Sequence, residues 1–131
     1  MNLKLRAWLP KAKMMAKNIE KDDDLNEIIQ DNNNEGSCYI LMQATEIKDK
    51  HRNNVYSGDY ILYDSGVVRS FKIVTETKLG FAFCSWDKNK KRWRHSTYNG
   101  IDTYGEIIGN IYEGIKSKRL YNEMQNLGIN I

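Results

Sequence analysis

Residues 45–63, TEIKDKHRNNVYSGDYILY, decide the fold of this 131-residue chain, because a polar loop, a turn and an apolar strand follow one another there. The turn lies at residues 57–59. Gly58 has no Cβ and adopts a positive φ at little steric cost, and the Asp59 carboxylate is placed to accept hydrogen bonds from backbone amides just before it. Residues 60–63 are then predicted to enter a sheet. The stretch carries no catalytic motif, so Gly58 and Asp59 are predicted to be structural turn residues.

Short apolar runs bounded by turn signals extend this pattern along the chain. Ser65-Gly66 predicts a two-residue hairpin turn, and Gly109 predicts a bend or bulge in the last strand. Strands this short and this regularly spaced favour a small antiparallel, strongly bent sheet or a barrel. The strands predicted after the N-terminal segment are residues 38–44, 60–64, 67–75, 81–86, 92–96 and 103–112. Residues 38–44 form a continuous apolar run, so this strand is expected to be buried on both faces.

The N-terminal residues 3–8, LKLRAW, alternate between apolar and basic side chains, which is the period of a half-buried strand. Pro10 predicts a turn, because its ring fixes φ and it has no backbone N–H to donate. Residues 14–19 are predicted to return as a second strand, giving a hairpin over residues 3–19. A helix over residues 11–17 is the alternative, since lysine, alanine and methionine all favour helix.

Two further segments are helical in pattern. Residues 22–35, DDDLNEIIQDNNNE, predict either one or two helical turns over the sheet or a mobile insertion. Residues 113–127 predict a C-terminal helix with Ser117 as its N-cap and Gly128 as its stop. The predicted fold class is therefore mainly β (α+β). We expect a single domain over residues 1–131, made of an N-terminal hairpin (1–19), an acidic and Asn-rich insertion (20–36), a bent-sheet or barrel core (37–113) and a C-terminal helix (114–131).

Composition places the chain among ordinary globular proteins rather than among strongly basic duplex-binding proteins. Twenty Lys and Arg against 17 Asp and Glu give a net charge of only +3. The sequence contains no apolar run of membrane-spanning length and no export signal at its start, so we expect a cytoplasmic protein without membrane contact. Cys38 and Cys84 are then expected to be free thiols. With His51 and His95 they are too scattered to predict a metal site.

The strongest candidate binding site is residues 86–95, WDKNKKRWRH, which we call the basic hairpin. Cations attract phosphates and indoles stack on bases, so basic residues interleaved with aromatics are typical of single-stranded or backbone recognition of nucleic acid. The alternative is a solvated hairpin loop whose two tryptophans face each other across neighbouring strands. The candidate partner-binding residues are Trp86, Lys88, Lys90, Lys91, Arg92, Trp93 and Arg94.

Other polar and aromatic residues allow both a functional and a structural interpretation. Asp49, within Lys48-Asp49-Lys50, belongs to a binding loop or accepts backbone amides in a turn. Trp8 anchors an interface or closes one end of the sheet core. Cys84 lies in an apolar strand, where a buried thiol is unreactive. Because no nucleophile–base pair, paired carboxylates or phosphate-binding glycine loop is recognisable, we expect no enzyme, no cofactor and no small-molecule substrate.

Three separated blocks of the sequence share the pattern of one family. The blocks are Lys4-Leu5-Arg6-Ala7-Trp8, residues 45–50 (TEIKDK) with 55–59 (VYSGD), and residues 107–113 (IIGNIYE) with Leu120 beyond. Their order and spacing resemble those of the YopX family of small phage and prophage proteins over nearly the whole chain. Leu5, Glu46 and Ser57 depart from that family's usual Phe, Gly and Glu, and Gly114-Ile115 replaces its closing Asn-Pro.

The resemblance implies a phage-borne, cytoplasmic and oligomeric protein of mixed β structure, without catalytic or cofactor residues to transfer. Our first hypothesis is a non-enzymatic accessory protein that self-associates and binds a macromolecular partner, with nucleic acid as the candidate for the basic hairpin. The second is a protein-binding regulator or inhibitor of a host factor, acting through exposed aromatics such as Trp8 and Tyr98. A third, a small hydrolase or nuclease, requires a polar pocket with clustered carboxylates.

Overall fold

Ten strands and two helices lie within residues 4–10, 13–17, 40–78 and 80–131, which are the residues that this computed structural model describes. The chain divides into two compact units, Met1–Ala44 and Thr45–Ile131. The strands are β1 Leu5–Leu9, β2 Met14–Lys17, β3 Ile40–Lys48, β4 Asn54–Tyr56, β5 Asp59–Asp64, β6 Arg69–Thr77, β7 Gly80–Asp87, β8 Arg92–Ser96, β9 Gly105–Asn110 and β10 Gly114–Ile115. The helices are α1 Ile101–Tyr104 and α2 Lys118–Asn126.

An antiparallel hairpin is the framework of the first unit. β1 pairs with β2 from Arg6 opposite Lys17 to Leu9 opposite Met14, and it pairs with the first half of β3 on its other side. The alternation of apolar and basic residues therefore predicts the strand correctly, and the hairpin is confirmed in the described residues. The alternative helix is wrong at residues 14–17, because those residues form the returning strand.

Burial in the first unit differs from the predicted pattern at two places. Leu5 and Ala7 form its small core, but Arg6 between them is buried as well, so β1 is buried on both faces at these residues and not half-buried. β3 alternates, with Met42 and Ala44 buried and the residues between and around them partly exposed. The prediction that this strand is buried on both faces is therefore wrong, and its continuous apolar sequence hides a one-sided strand.

Some predictions concern residues outside the described ranges. They are the start of the first strand at Leu3, residues 18 and 19 of the second strand, the insertion at residues 20–36 with its helical segment, and Cys38 with its thiol. For these residues the sequence-based expectations stay predictions, as does the single domain over residues 1–131.

A six-stranded antiparallel sheet in the order β10-β9-β5-β6-β7-β8 forms most of the second unit. The sheet curls strongly into a half-barrel, and α2 follows it as the C-terminal helix. The predicted fold class is confirmed: mainly antiparallel strands, one strongly bent sheet, an N-terminal hairpin and a C-terminal helix. Since β8 and β10 are edge strands in this order, the bent sheet is the correct alternative and not the closed barrel.

Two apolar clusters lie on opposite faces of this sheet. Tyr60 and Ile61 belong to different clusters, because successive side chains of a strand point to opposite faces. α2 therefore covers one face, and α1 and β4 cover the other. The cluster beneath α2 contains Tyr60, Phe71, Leu120, Met124 and Ile129. The opposite cluster contains Val55, Ile61, Val74, Phe83 and Ile101.

Two connections before β6, a predicted loop and a predicted turn, differ from the prediction. Residues 45–48 continue β3 instead of forming a polar loop, and Glu46 takes a positive φ of 73° within that strand. The turn between β5 and β6 has four residues rather than two, since Asp64 pairs with Arg69 and the backbone N of Ser65 donates to the carbonyl of Val68 at 3.0 Å. At residues 45–48 the strand is not predicted because its side chains are mostly polar. Ser65-Gly66 is part of a turn longer than the two residues predicted.

Two boundaries on the C-terminal side also differ. Residues 103 and 104 belong to α1 and not to the last strand. The sequence does not predict this helix, because four residues are too few to show a helical period. Residues 114 and 115 form β10, so α2 begins at Lys118 rather than at residue 113. The predicted N-cap is confirmed, since the hydroxyl of Ser117 accepts a hydrogen bond from the backbone N of Leu120 at 3.3 Å.

Candidate functional site

The basic hairpin is formed by β7 and β8, which pair antiparallel. Trp86 lies directly opposite Trp93, with ring centroids 5.2 Å apart and ring planes at 73°. Edge-to-face contact is a preferred geometry for aromatic pairs. The cross-strand tryptophan pair, which the sequence offers as the structural alternative, is therefore present.

Both indoles also hold helix α2 against the sheet. Trp86 Nε1 donates a hydrogen bond to the carbonyl oxygen of Leu127 at 2.9 Å, just beyond the end of the helix. Trp93 stacks on Tyr60 with ring centroids 6.4 Å apart, and both indoles pack against the cluster that contains Leu120. The two rings are half-buried, so much of their surface seats the helix.

Cations crowd the exposed part of the basic hairpin. Residues 86–95 contain five Lys and Arg and one carboxylate, Asp87, an excess of four positive charges, whereas the whole chain has a net charge of +3. The positive field of the chain is therefore concentrated at this hairpin. The exposed cations are Lys88, Lys90, Lys91, Arg92 and Arg94.

Asp87 shapes the tip of the basic hairpin. Its Oδ1 accepts hydrogen bonds from the backbone N of Asn89 at 3.0 Å and of Lys90 at 3.1 Å, and Arg94 lies 3.4 Å from its Oδ2. The hydrogen bond from the Lys90 amide is the largest cause that lowers the pKa of the Asp87 carboxyl. Lys91 closes the turn with a positive φ of 51°. The cations thus project from a turn of defined backbone geometry.

A cleft of about 640 Å³ opens beside the basic hairpin, and we call it the serine cleft. The pairing of β6 with β7 ends at Lys72 opposite Ser85, so the first residues of β6 and the end of β7 are not paired with each other. Residues of β6, β7, β8 and α2 line the space. Its lining combines three serine hydroxyls (Ser70, Ser85 and Ser96), three cations (Arg69, Lys88 and Arg94), two carboxylates (Asp87 and Glu123), His95 and the apolar side chains of Phe71, Trp86 and Leu127.

Lys72 lies directly behind these hydroxyls and is only 7% exposed. Its Nζ donates to Ser85 Oγ at 2.6 Å and to Ser96 Oγ at 2.9 Å, and it stands 5.4 Å from the centroid of the Tyr63 ring. Burial lowers the pKa of the Lys72 ammonium, because removal from water disfavours the charged form. The three strands β6, β7 and β8 thus contribute one ammonium and two hydroxyls to a single polar centre.

Sequence reasoning missed this centre. Lys72 sits in the predicted strand 67–75, VVRSFKIVT, where its charge between Phe71 and Ile73 resembles an ordinary solvent-facing position. The available signal is the period of two, which places Lys72 on the same face as Val74, a core residue. Ser85 and Ser96 carry no motif of their own, and only the register of three strands brings them together.

The predicted structural turn residues act through backbone contacts. Gly58 has a φ of 87°, and Asp59 Oδ2 accepts a hydrogen bond from the backbone N of Tyr56 at 2.8 Å. At Gly109 the register shifts between β5 and β9, which is the bulge that the sequence predicts, and a side chain there would collide with the carbonyl oxygen of Gly114. These residues position the sheet and carry no exposed chemistry.

Of the two interpretations of Asp49, the structure shows the structural one, in which its carboxylate accepts hydrogen bonds from backbone amides. It is 1% exposed, and its Oδ1 accepts from the backbone N of His51 at 3.0 Å and of Asn53 at 2.9 Å. Its Oδ2 accepts from the backbone N of Ile107 at 3.2 Å, so one carboxylate joins the loop before β4 to strand β9. The neighbouring Lys50 is exposed and has Glu106 as a distant ion partner at 3.9 Å.

The match to a family model covers residues 4–118 and carries the description YopX protein. The chain belongs to the YopX family. Apart from Leu120, the three blocks that resemble the family lie within the matched residues, from Lys4-Trp8 through the turn at Gly58-Asp59 to residues 107–113. In the second unit, the residues of these blocks form turns and the ends of strands. The YopX signature there therefore consists of residues with structural roles.

Structural comparison places this YopX-family chain beside one solved protein of the same fold. The crystal structure of protein EF1440 from Enterococcus faecalis is similar, with a TM-score of 0.56 and 19% sequence identity over 86% of this chain and 95% of that chain. Identity at this level shows the shared fold alone. A search of curated proteins found no match.

Other candidate residues of the YopX-family chain are spread over its surface. Tyr98 is exposed and borders a second cleft of about 500 Å³, and its ring contacts Phe83. Trp8 is half-buried on β1. Cys84 is a free, half-buried thiol. Within the described ranges, no three His, Cys, Asp or Glu side chains cluster as metal ligands, and no helix there is both long and apolar enough to cross a membrane.

Proposed function

We propose that this YopX-family protein is a non-enzymatic phage or prophage accessory protein of the host cytoplasm, and that it binds nucleic acid through the basic hairpin. One observation carries the proposal: five exposed cations project from a single two-stranded ribbon, against one carboxylate that is engaged in shaping the turn. Concentrated positive charge on a rigid ribbon attracts a phosphate backbone.

The position of the aromatic residues refines the mode of contact. Trp86 and Trp93 are half-buried against α2, and the exposed tip at residues 88–91 carries lysines but no aromatic side chain. Contacts at the tip are therefore with phosphates, which position a strand without reading its bases. The binding is expected to be independent of sequence and strongly dependent on salt.

Fluorescence anisotropy with a short single-stranded oligonucleotide, measured over a salt series, tests the proposal. Replacing Lys90, Lys91 and Arg92 with alanine should weaken binding and lower the slope of log K against log salt by about 2, since each single-strand phosphate contact contributes about 0.7. The matched control removes three exposed cations elsewhere, namely Lys116, Lys118 and Arg119. Equal salt slopes for the two triple variants would refute the basic hairpin as the contact.

The second candidate function is a protein-binding regulator or inhibitor of a host factor. Tyr98, which is 56% exposed beside the second cleft, favours it, as do Val67 and Val68 at the tip of the β5–β6 turn. Apolar residues exposed together often mark protein contacts. This function predicts weak salt dependence and no oligonucleotide binding. A pull-down from host lysate that loses its partner on Tyr98→Ser, but not on the tip triple variant, would favour it.

Self-association is the remaining part of the proposal. Val67 is 94% exposed and Val68 55% exposed, which is unusual for adjacent β-branched residues and suits burial against a second copy. Size-exclusion chromatography with light scattering measures the mass directly. A dimer or larger species that becomes a monomer on Val67→Asp with Val68→Asp supports this contact, and a wild-type monomer refutes self-association.

A further inference from the structure

The serine cleft contains hydroxyl donors whose direction is set by Lys72. An ammonium group has donors and no acceptor, so the oxygens of Ser85 and Ser96 must accept from it, at 2.6 and 2.9 Å. The hydrogen of each hydroxyl then points away from Lys72. In the described part of the chain neither hydroxyl donates to a protein acceptor, and both line the cleft. Two polarised O–H donors are thus available to a ligand there.

The charge at this centre is also uncompensated within the described residues. Lys72 is 7% exposed and has hydroxyls and a tyrosine ring around it but no carboxylate in ion-pair range. The two carboxylates on the rim of the cleft are already engaged, Asp87 by backbone amides and Arg94, and Glu123 by Arg69. A buried cation that lacks a counter-ion is stabilised when an anion binds near it.

The remaining lining narrows the class of anion. Arg94 adds another cation to the lining, and the half-buried indole of Trp86 provides an aromatic surface in the same space. A volume of about 640 Å³ lies within the range of pockets that hold small molecules and is larger than an isolated inorganic anion requires. A charged group at the hydroxyls with a flat ring against this indole is the arrangement of a nucleotide.

We propose that the serine cleft binds one nucleotide, with Ser85 and Ser96 donating hydrogen bonds to its phosphate and Lys72 and Arg94 supplying the positive charge. This inference rests on the proposed nucleic-acid function, because it makes the cleft the place where one nucleotide of a bound strand is held. The exposed cations at the tip of the basic hairpin then hold the neighbouring phosphates. The two contacts are adjacent but use different residues.

Isothermal titration of the full chain with adenosine 5′-monophosphate and with adenosine, at one ionic strength, tests the site. The monophosphate should bind about tenfold or more tightly than adenosine, because charge-assisted hydrogen bonds to the phosphate are absent from the nucleoside. The double variant Ser85→Ala with Ser96→Ala should lower the affinity for the monophosphate by a similar factor and leave the affinity for adenosine unchanged. Equal binding of the two ligands, or no binding of either, would overturn the proposal.

The tip triple variant at Lys90, Lys91 and Arg92 separates this inference from the proposed function. This variant should bind the oligonucleotide more weakly than wild type does. Its affinity for the monophosphate should stay within about twofold of wild type, since none of the three residues lines the cleft. If the oligonucleotide is unaffected but the monophosphate depends on the serines, the proposed function fails and the nucleotide site stands. Covalent labelling of Ser85 by a fluorophosphonate would overturn the nucleotide site, because it would identify a serine nucleophile with Lys72 as its base.

Discussion

Asp59 and Asn110 lie opposite each other on β5 and β9, and each uses its side chain to build the turn next to it. Asp59 Oδ2 accepts from the backbone N of Tyr56, and Asn110 Oδ1 accepts from the backbone N of Tyr112 at 3.0 Å and of Glu113 at 2.8 Å. The backbone N of residue 111 also donates to the carbonyl of residue 58, at 2.9 Å. Two signature blocks of the YopX family thus form one paired turn structure.

Replacing Asp59 with alanine should lower the free energy of unfolding by about 1–3 kcal/mol, because the buried amide of Tyr56 loses its acceptor. Urea unfolding followed by far-UV circular dichroism measures the change. Glu76→Ala is the control, since Glu76 is an exposed strand residue whose side chain makes no hydrogen bond or ion pair in the described structure. Similar losses for the two variants would contradict the paired-turn account.

The N-cap of α2 offers a second prediction. Ser117→Ala should cost about 1 kcal/mol of stability, because the backbone N of Leu120 loses the hydroxyl that it donates to. Ser117→Asp should retain the stability, since aspartate caps equally well and its charge suits the helix N-terminus. The comparison is made by thermal unfolding. An aspartate variant as unstable as the alanine variant would mean that the hydroxyl does not act as a cap.

The hydrogen bond from Trp86 to Leu127 should hold the end of α2 in place. Trp86→Phe removes the N–H donor and should destabilise the chain by about 1–3 kcal/mol, with faster amide hydrogen exchange in the last turn of the helix. Trp93→Phe keeps that bond and is the matched control, because Trp93 is also half-buried against the same cluster. Exchange that accelerates equally in both variants would argue against a specific role of the indole N–H.

Lys72 should make stability depend on pH in the alkaline range. Burial lowers its pKa in the folded state below the ordinary value of about 10.4, so between these two pKa values the unfolded chain holds the proton and the folded chain has released it. The free energy of unfolding therefore gains a contribution that rises with pH across that window. Lys72→Met should remove this contribution, whereas Lys88→Met, at an exposed lysine, should keep it.

Unfolding by urea at several pH values from neutral to pH ~10.5 tests this prediction. The difference between wild type and Lys72→Met isolates the one lysine, because the other groups titrate alike in both proteins. A difference that stays constant across the series would show that the Lys72 ammonium keeps an ordinary pKa in the folded state, and a change in the opposite direction would show that its pKa is raised; either result would contradict the prediction.

Local turn chemistry explains why much of the fold is predictable. Gly58, Asp59 and Ser117 have side chains or backbone freedom whose effect reaches only a few residues, so the sequence contains the whole cause. The period of two identifies β1 for the same reason. β10 is missed for a different reason: it is only two residues long, too short to show a period, and is defined by its pairing with residues 109 and 110.

The candidate site divides in the same way. The cations and the tryptophan pair of the basic hairpin are contiguous, so the sequence reveals them together. The serine cleft draws Lys72, Ser85 and Ser96 from three strands, and no spacing in the sequence links an ammonium in one strand to hydroxyls in the next two. The missing information is the register of β6, β7 and β8.

The place of Trp86 has a practical consequence for studying this protein. Its indole contacts Trp93, donates to the end of α2 and also lines the serine cleft. Indole emission is sensitive to local polarity and to nearby charges, so this ring is a built-in optical probe of ligand arrival that needs no attached dye. The chain has three tryptophans, and subtracting the spectrum of Trp86→Phe leaves the signal of the ring at the cleft.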